Sequence, residues 1–191
     1  MKLHIKNMVS DRCKMLVKSA LEKQRLHYIL VGLGEVETME TLSTEQLDQL
    51  NNELRKSGLG LIDDHKSILI ERIKNTIIEL VHYSEKQLKI NFSDYLSEKL
   101  NYNYTYLANL FSENQGISIE RFLVSHRIEK VKELLVYGEM NITEIADKLH
   151  YSSTAHLSNQ FKKMTGLTPS SYKNLRLKRR TPLENVQGNR L

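Results

Sequence analysis

The sequence predicts an α+β N-terminal domain of order β-α-β-β-α-β, followed by an all-α domain with two helix-turn-helix units. Three observations lead there. Apolar residues alternate along short runs in the first third and recur at helical spacing afterwards. The phrase LANLFSENQG at 107–116 returns fifty positions later as LSNQFKKMTG at 157–166. Charge divides at the same place: residues 1–83 carry 12 basic and 12 acidic side chains, whereas 84–191 carry 16 and 11, so the whole net charge of +5 sits with the repeat.

KLHIKNM alternates as a strand does, and DRCKMLVKSALEKQR at 11–25 reads as a helix with Cys13, Leu16, Val17, Ala20 and Leu21 inward. HYILVGL is a β run, Gly34 turns the chain, and EVETMETL alternates again. Ser43 and Gln46 have capping-box spacing for a helix over 44–57, which Gly58 stops before a last short strand, LGLI. This order is that of a ferredoxin-like small domain, residues 1–63. From Asp63 or Asp64 as N-cap, apolar residues at 68, 70, 73, 77, 78, 80 and 81 mark a long linker helix, 64–84. Its wide stripe suits packing against its own domains or a shared homodimer helix, and the sequence leaves both open.

The repeat aligns Asn91 with Asn141, Ser93 with Thr143, Phe111 with Phe161 and Gly116 with Gly166. Each copy opens on an N-cap candidate, breaks at a polar turn (NYN at 101–103, SST at 152–154) and ends on glycine. In the second copy Ile142, Ile145, Ala146, Leu149, Leu157 and Phe161 form the packed faces, which leaves Thr154, Ala155, Ser158, Asn159 and Lys162 outward on the second helix. A short-side-chained polar strip of that kind suits close approach to a groove. Between the copies, ISIERFLVSHRIEKVKELLVYG offers about 20 helical residues, roughly 30 Å. That is close to the ~34 Å between successive major grooves on one face of B-DNA.

At these residues the chain resembles the AraC/XylS-type bacterial transcription regulators, over about residues 85–176. The resemblance rests on HRIEKVKELL at 126–135, ITEIADKLHYSS at 142–153 and FKKMTGLTPSSYK at 161–173, close to the family's F-K-K-x-x-G-x-T-P-x-x-Y-R ending. It implies a sequence-specific regulator of transcription with double-stranded DNA as partner, RNA polymerase as a further one, and no catalysis. Position by position, the family's base-reading places fall on Thr105, Ala108 and Asn109, and on Thr154, Ala155, Ser158 and Asn159. Tyr104, Ser153, Lys162 and Lys163 are the expected phosphate contacts. Two departures matter. His150 stands where the family has glycine, so a left-handed residue there carries strain. Asn109 and Asn159 stand where arginine is frequent, and because asparagine pairs best with adenine, an A·T-leaning site is expected.

Residues 1–62 resemble heavy-metal-associated domains, whose first helix opens on M-x-C-x-x-C. Here the run is Met8, Val9, Ser10, Asp11, Arg12, Cys13, with serine at the first cysteine position. Two thiolates grip a soft ion such as Cu(I), but one is a poor site. Cys13 is therefore left with three readings: a metal ligand together with Met8 or a second subunit, a redox thiol, or a small partly buried residue. A metal-responsive protein acting through the N-terminal domain is the alternative function. The seven histidines show no ligand spacing.

The basic run after 176 reads as a flexible tail, 177–191. One cysteine, no apolar run of bilayer length and no leader-like start lead to the expectation of a soluble cytoplasmic protein without membrane contact. No nucleophile-base pairing or Gly-rich phosphate loop is legible, and the strands lack the aromatic pattern with which sheet proteins stack RNA bases.

Overall fold

The computed structural model describes residues 1–84, 88, 90–138 and 140–178. Of the expected tail, 177–191, the first two residues are the end of a helix and 179–191 lie outside these residues. By internal contacts they fall into two compact units, one within Met1–Leu80 and Leu88–Ile119, the other within Val81–Gln87 and Glu120–Leu191.

The first unit begins with β1 (Lys2–Lys6), α1 (Asp11–Lys23), β2 (Tyr28–Val31), β3 (Glu35–Thr38), α2 (Thr44–Arg55) and β4 (Gly60–Ile62). The four strands form one sheet of order β2-β3-β1-β4, antiparallel at every pairing. Alternation on β1 sends Leu3 and Ile5 into a core with Val36 of β3, Val17 and Leu21 of α1, and Leu50 and Leu54 of α2. The local signals act as their chemistry requires. Ser43 and Gln46 form the reciprocal capping box of α2, and Gly58 ends that helix at φ 75°, where a Cβ would be strained.

Three details differ from the periodicity. Leu16, expected inward, is 47 % exposed, because the buried stripe of α1 is narrowed to Val17, Ala20 and Leu21. On β2, Ile29 and Leu30 are both exposed, at 62 % and 52 %. The register with β3 shifts between Tyr28 and Leu30, and such an irregularity breaks the two-residue alternation. β3 stops at Thr38 rather than running to Leu42, since the Thr38 hydroxyl donates to the Glu40 carbonyl at 2.7 Å and Glu40 takes the His27 amide at 2.9 Å. Those bonds turn the chain out of the ladder.

The linker helix, α3 (His65–Ile78), is capped by Asp64, which accepts from the Ser67 amide at 2.8 Å, and it continues as a π-helical turn over Glu79–Tyr83. It packs on β1 and on both following helices, α4 (Phe92–Leu100) and α5 (Tyr104–Gln115). Leu69, Ile70, Ile73, Ile77 and Ile78 are buried as an apolar stripe should be. Glu71 and Asn75 are buried too, only 8 % and 6 % exposed. Glu71 accepts from the Asn7 amide at 2.9 Å and pairs with Lys74 at 2.8 Å, while Asn75 donates to the Leu33 carbonyl at 3.3 Å. Burial of a carboxylate is tolerated where its lone pairs find such partners.

The second unit carries most of α6 (Ile119–Tyr137), then α7 (Ile142–Lys148), α8 (Thr154–Thr165) and α9 (Pro169–Lys178). Its core joins Ile128, Val131 and Leu135 of α6 to Ile145, Ala146 and Leu149, and to Leu157 and Phe161 of α8. Tyr172 of α9, a helix the periodicity did not mark, closes the core edge-on against Phe161 with ring centroids 5.5 Å apart. No described helix is long and apolar enough to cross a membrane.

Candidate nucleic-acid interface

The fifty-residue repeat is a repeat of caps. Asn91 and Asn141 hold the extended N-cap position before α4 and α7, and Asn141 completes a capping box with Glu144. Asn103 and Ser153 cap α5 and α8 with their side chains, accepting from the amides of Thr105 at 2.8 Å and His156 at 3.1 Å. Gly116 and Gly166 end both helices in the left-handed region.

Inside the turns the register slips by one. The left-handed residue is Asn101 (φ 59°) in the first and His150 (φ 58°) in the second, forty-nine positions apart. Helix α4 runs nine residues and α7 seven, and the second turn takes up the difference. Asparagine tolerates this conformation; histidine does so at a cost. His150 also buries Nδ1 without a partner, and burial first, then the nearby Arg127, holds its pKa below the ordinary value. We expect His150→Gly to raise stability by about 0.5–1 kcal/mol, the relieved backbone exceeding the entropy glycine adds to the unfolded chain. A lower melting temperature would mean that the imidazole contributes more by packing than its backbone costs.

A tyrosine follows each left-handed residue. In the first unit the Tyr102 hydroxyl meets His65 Nε2 at 3.0 Å, and its ring stacks on Tyr106 with centroids 5.7 Å apart. In the second, the buried Tyr151 donates to Gln160 Oε1 at 2.7 Å, and the Arg127 guanidinium lies 5.9 Å from its ring centroid. Neither pairing was legible, since each depends on how the turn folds back.

On α5 the buried residues are Leu107, Leu110 and Phe111. Thr105 and Asn109 are exposed there, and Tyr104 and Ala108 are half-buried. On α8 Leu157 and Phe161 point inward, Ala155, Asn159, Lys162 and Lys163 are exposed, and Thr154 and Ser158 are half-buried. Ser153 is exposed just before the helix. Each helix thus presents a strip of short side chains beside its N-terminus, where backbone N–H groups and the helix dipole attract anions, and α8 carries no acidic residue. The exposed Tyr106 belongs to the same stretch of α5 and was not singled out from the sequence.

The metal candidates lie elsewhere. Cys13 Sγ is 3.5 Å from the Ser10 hydroxyl at the start of α1. Burial pushes the thiol up, but the Ser10 hydroxyl and the backbone of Val9, Ser10 and Cys13 outweigh it and leave the pKa lowered. Met8 is wholly buried in the core of the sheet. Among the described residues no group of three or more His, Cys, Asp or Glu is placed to hold a metal. His82 and His126, 44 positions apart, do meet at 3.2 Å. Burial lowers the pKa of both, the largest cause in each case.

Residues 96–175 match the model of a helix-turn-helix domain. A relative in Bacillus subtilis, the uncharacterized HTH-type transcriptional regulator YtdP, is 32 % identical over 125 residues, 65 % of this chain and 16 % of that protein. The Staphylococcus aureus regulator SAS0078 is 32 % identical over 111 residues, 57 % of this chain and 14 % of its own. The chain therefore spans about a sixth of the length of these curated relatives. Among solved structures, the C-terminal domain of AraT, a response regulator from Geobacillus stearothermophilus, superposes with a TM-score of 0.50 at 28 % identity, covering 66 % of this chain and 97 % of that one. These relatives are named as regulators, and the matched residues 96–175 contain every residue of α5 and α8 discussed above.

Proposed function

We propose that the chain is a sequence-specific transcription regulator that binds double-stranded DNA through its AraC-type domain, with α5 and α8 as reading helices for two successive major grooves. The observation that carries this reading is the recurrence, fifty residues apart, of a capped, glycine-ended helix with an exposed strip of short polar side chains. The 19 residues of α6 give it a length of roughly 28 Å, which supports the two-groove part against a ~34 Å turn of B-DNA. Thr105, Ala108, Asn109, Thr154, Ala155, Ser158 and Asn159 face base edges in this reading. Tyr104, Ser153, Lys162 and Lys163 face phosphates. RNA polymerase and a second copy of the chain are further proposed partners, and the cytoplasm the place of action. The strand order β2-β3-β1-β4 supports a ferredoxin-like assignment of the sheet domain.

The test separates base from phosphate contact. On the best duplex selected from a random pool, Asn159→Ala should cost about 1–3 kcal/mol and leave binding to scrambled duplex nearly unchanged. Lys163→Ala should weaken all duplexes alike and reduce the salt slope by about one. Equal losses on both duplexes for Asn159→Ala would remove it from the base-reading set.

A second reading, in which the N-terminal domain responds to a soft metal such as Cu(I), draws support from the lowered Cys13 thiol. It requires stoichiometric Cu(I) uptake that Cys13→Ser abolishes; a wild-type chain that takes up none would end it.

A further inference from the structure

Each reading helix is braced by an aromatic pair, and the two braces end differently. The tyrosine after each left-handed residue lays its ring against the third residue of the following helix. Tyr102 stacks on Tyr106 with centroids 5.7 Å apart and planes at 25°, and Tyr151 meets His156 edge-on at 5.4 Å. Ring pairs favour a few relative orientations, so each pair fixes how the first turn of its helix leaves the preceding turn. In the second unit the brace closes on itself. Tyr151 is 7 % exposed, and its hydroxyl donates to Gln160, one turn beyond His156 on the same helix. The fifty-residue repeat puts Leu110 at the corresponding place on α5, a buried aliphatic side chain that offers a hydroxyl nothing. Tyr102 takes its partner from outside the repeat instead: its hydroxyl lies 3.0 Å from His65 Nε2, with the two rings 6.2 Å apart.

His65 stands on a firm base. It is the first residue of α3, where the Asp64 cap holds the Ser67 amide at 2.8 Å. Farther along, Glu71 and Asn75 bind the Asn7 amide and the Leu33 carbonyl, so this helix is fixed to the sheet domain. A group at its N-terminus keeps station with α3 rather than with α5. The His65 side chain is itself exposed, and replacing it leaves the buried core of the unit intact.

We propose that His65 is a positioning residue for the first reading helix. Through the Tyr102 hydroxyl and the Tyr102–Tyr106 stack it sets the N-terminal turn of α5, where the strip Thr105, Ala108 and Asn109 begins. The first half of a DNA site is then read in a direction governed by α3, whereas the second half is read by a helix that carries its own brace. The half-site consequence rests on the DNA-binding reading above; the positioning of α5 does not.

Two measurements on the full chain separate these claims. The first, without DNA, is hydrogen exchange at the amides of Tyr102, Thr105 and Leu107, which are bonded to Ser97, Asn103 and Asn103. Tyr102→Phe keeps the ring and removes the hydroxyl, and it should speed exchange there roughly three- to tenfold, the weight of one hydrogen bond. His65→Ala should do the same, His65→Gln should restore most of the protection, and the double variant His65→Ala with Tyr102→Phe should go no further than either alone. The matching amides of Tyr151, His156 and Leu157 should not change. The second measurement is affinity for the selected duplex and for two derivatives, each with one of its two blocks scrambled. Both single variants should lose roughly three- to tenfold on the intact duplex, and that loss should vanish only where the block read by α5 is scrambled. Unchanged exchange at the first three amides, or equal change in both units, would overturn the proposal whatever the DNA results. Altered exchange with an affinity loss that ignores which block is scrambled would overturn the half-site assignment, and a pool that yields no preferred duplex would count against the DNA-binding reading while exchange still decides the role of His65.

Discussion

Replacing Phe161 by alanine is expected to destabilise the second unit by about 3–5 kcal/mol, enough to melt a small helical domain of ordinary stability. The ring is wholly buried, and its cluster draws on α6, α7 and α8, with Tyr172 edge-on against it. Little can move in to fill the hole, because α7 is only seven residues long and is already fixed by its capping box. Urea unfolding should show a lower midpoint with an unchanged slope, and specific DNA binding should fail together with it. The contrast lies two residues away. Asn159 is exposed and its side chain takes part in no hydrogen bond or ion pair among the described residues, so Asn159→Ala should leave stability within about 0.5 kcal/mol. A loss below 1 kcal/mol for Phe161→Ala would mean that the second core does not depend on this ring.

Gly34→Ala is the corresponding test of the first unit, with an expected cost of about 2–5 kcal/mol. Two independent penalties add. The backbone sits at φ 82°, a conformation that L side chains rarely adopt, and a Cβ there would fall inside the van der Waals radius of Asn75 Nδ2. Asn75 is buried and bonded to Leu33, so it yields only by giving up that bond. Thermal unfolding of Gly34→Ala, Asn75→Ala and the double variant forms a cycle. The double variant should lose less than the two single losses combined, since removing the carboxamide relieves the clash but not the backbone strain. Strict additivity would place the damage wholly in the backbone.

Much of this architecture was legible because its signals are local. Ser43 with Gln46, Asp64 with Ser67, and the glycines at 58, 116 and 166 act within one helical turn, so their chemistry is readable at short range. The fifty-residue repeat made α5 and α8 readable too, since it held both the inward and outward residues in register. What escaped was set by distant partners. Glu71 and Asn75 look like surface residues until Asn7 and Leu33 arrive from 64 and 42 positions away. Ile29 and Leu30 look like a buried strand until the bulge against β3 turns both outward. His82 and His126 carry no spacing at all, and the one-residue slip of the turns is invisible to an alignment at fifty.

The burial of Glu71 and Asn75 also bears on how such a chain can be rebuilt by recombination. A sensory module joined to a DNA-binding one through a solvated linker can be exchanged by cutting anywhere in the linker. Here the connecting helix turns a carboxylate and a carboxamide toward two particular backbone groups of the sheet, and its aliphatic row lies between the sheet and the first helical pair. A graft that keeps α3 but replaces residues 1–62 would strand both polar groups in an apolar wall. Any successful replacement must bring its own amide for Glu71 and its own carbonyl for Asn75, or change those two residues in the same step.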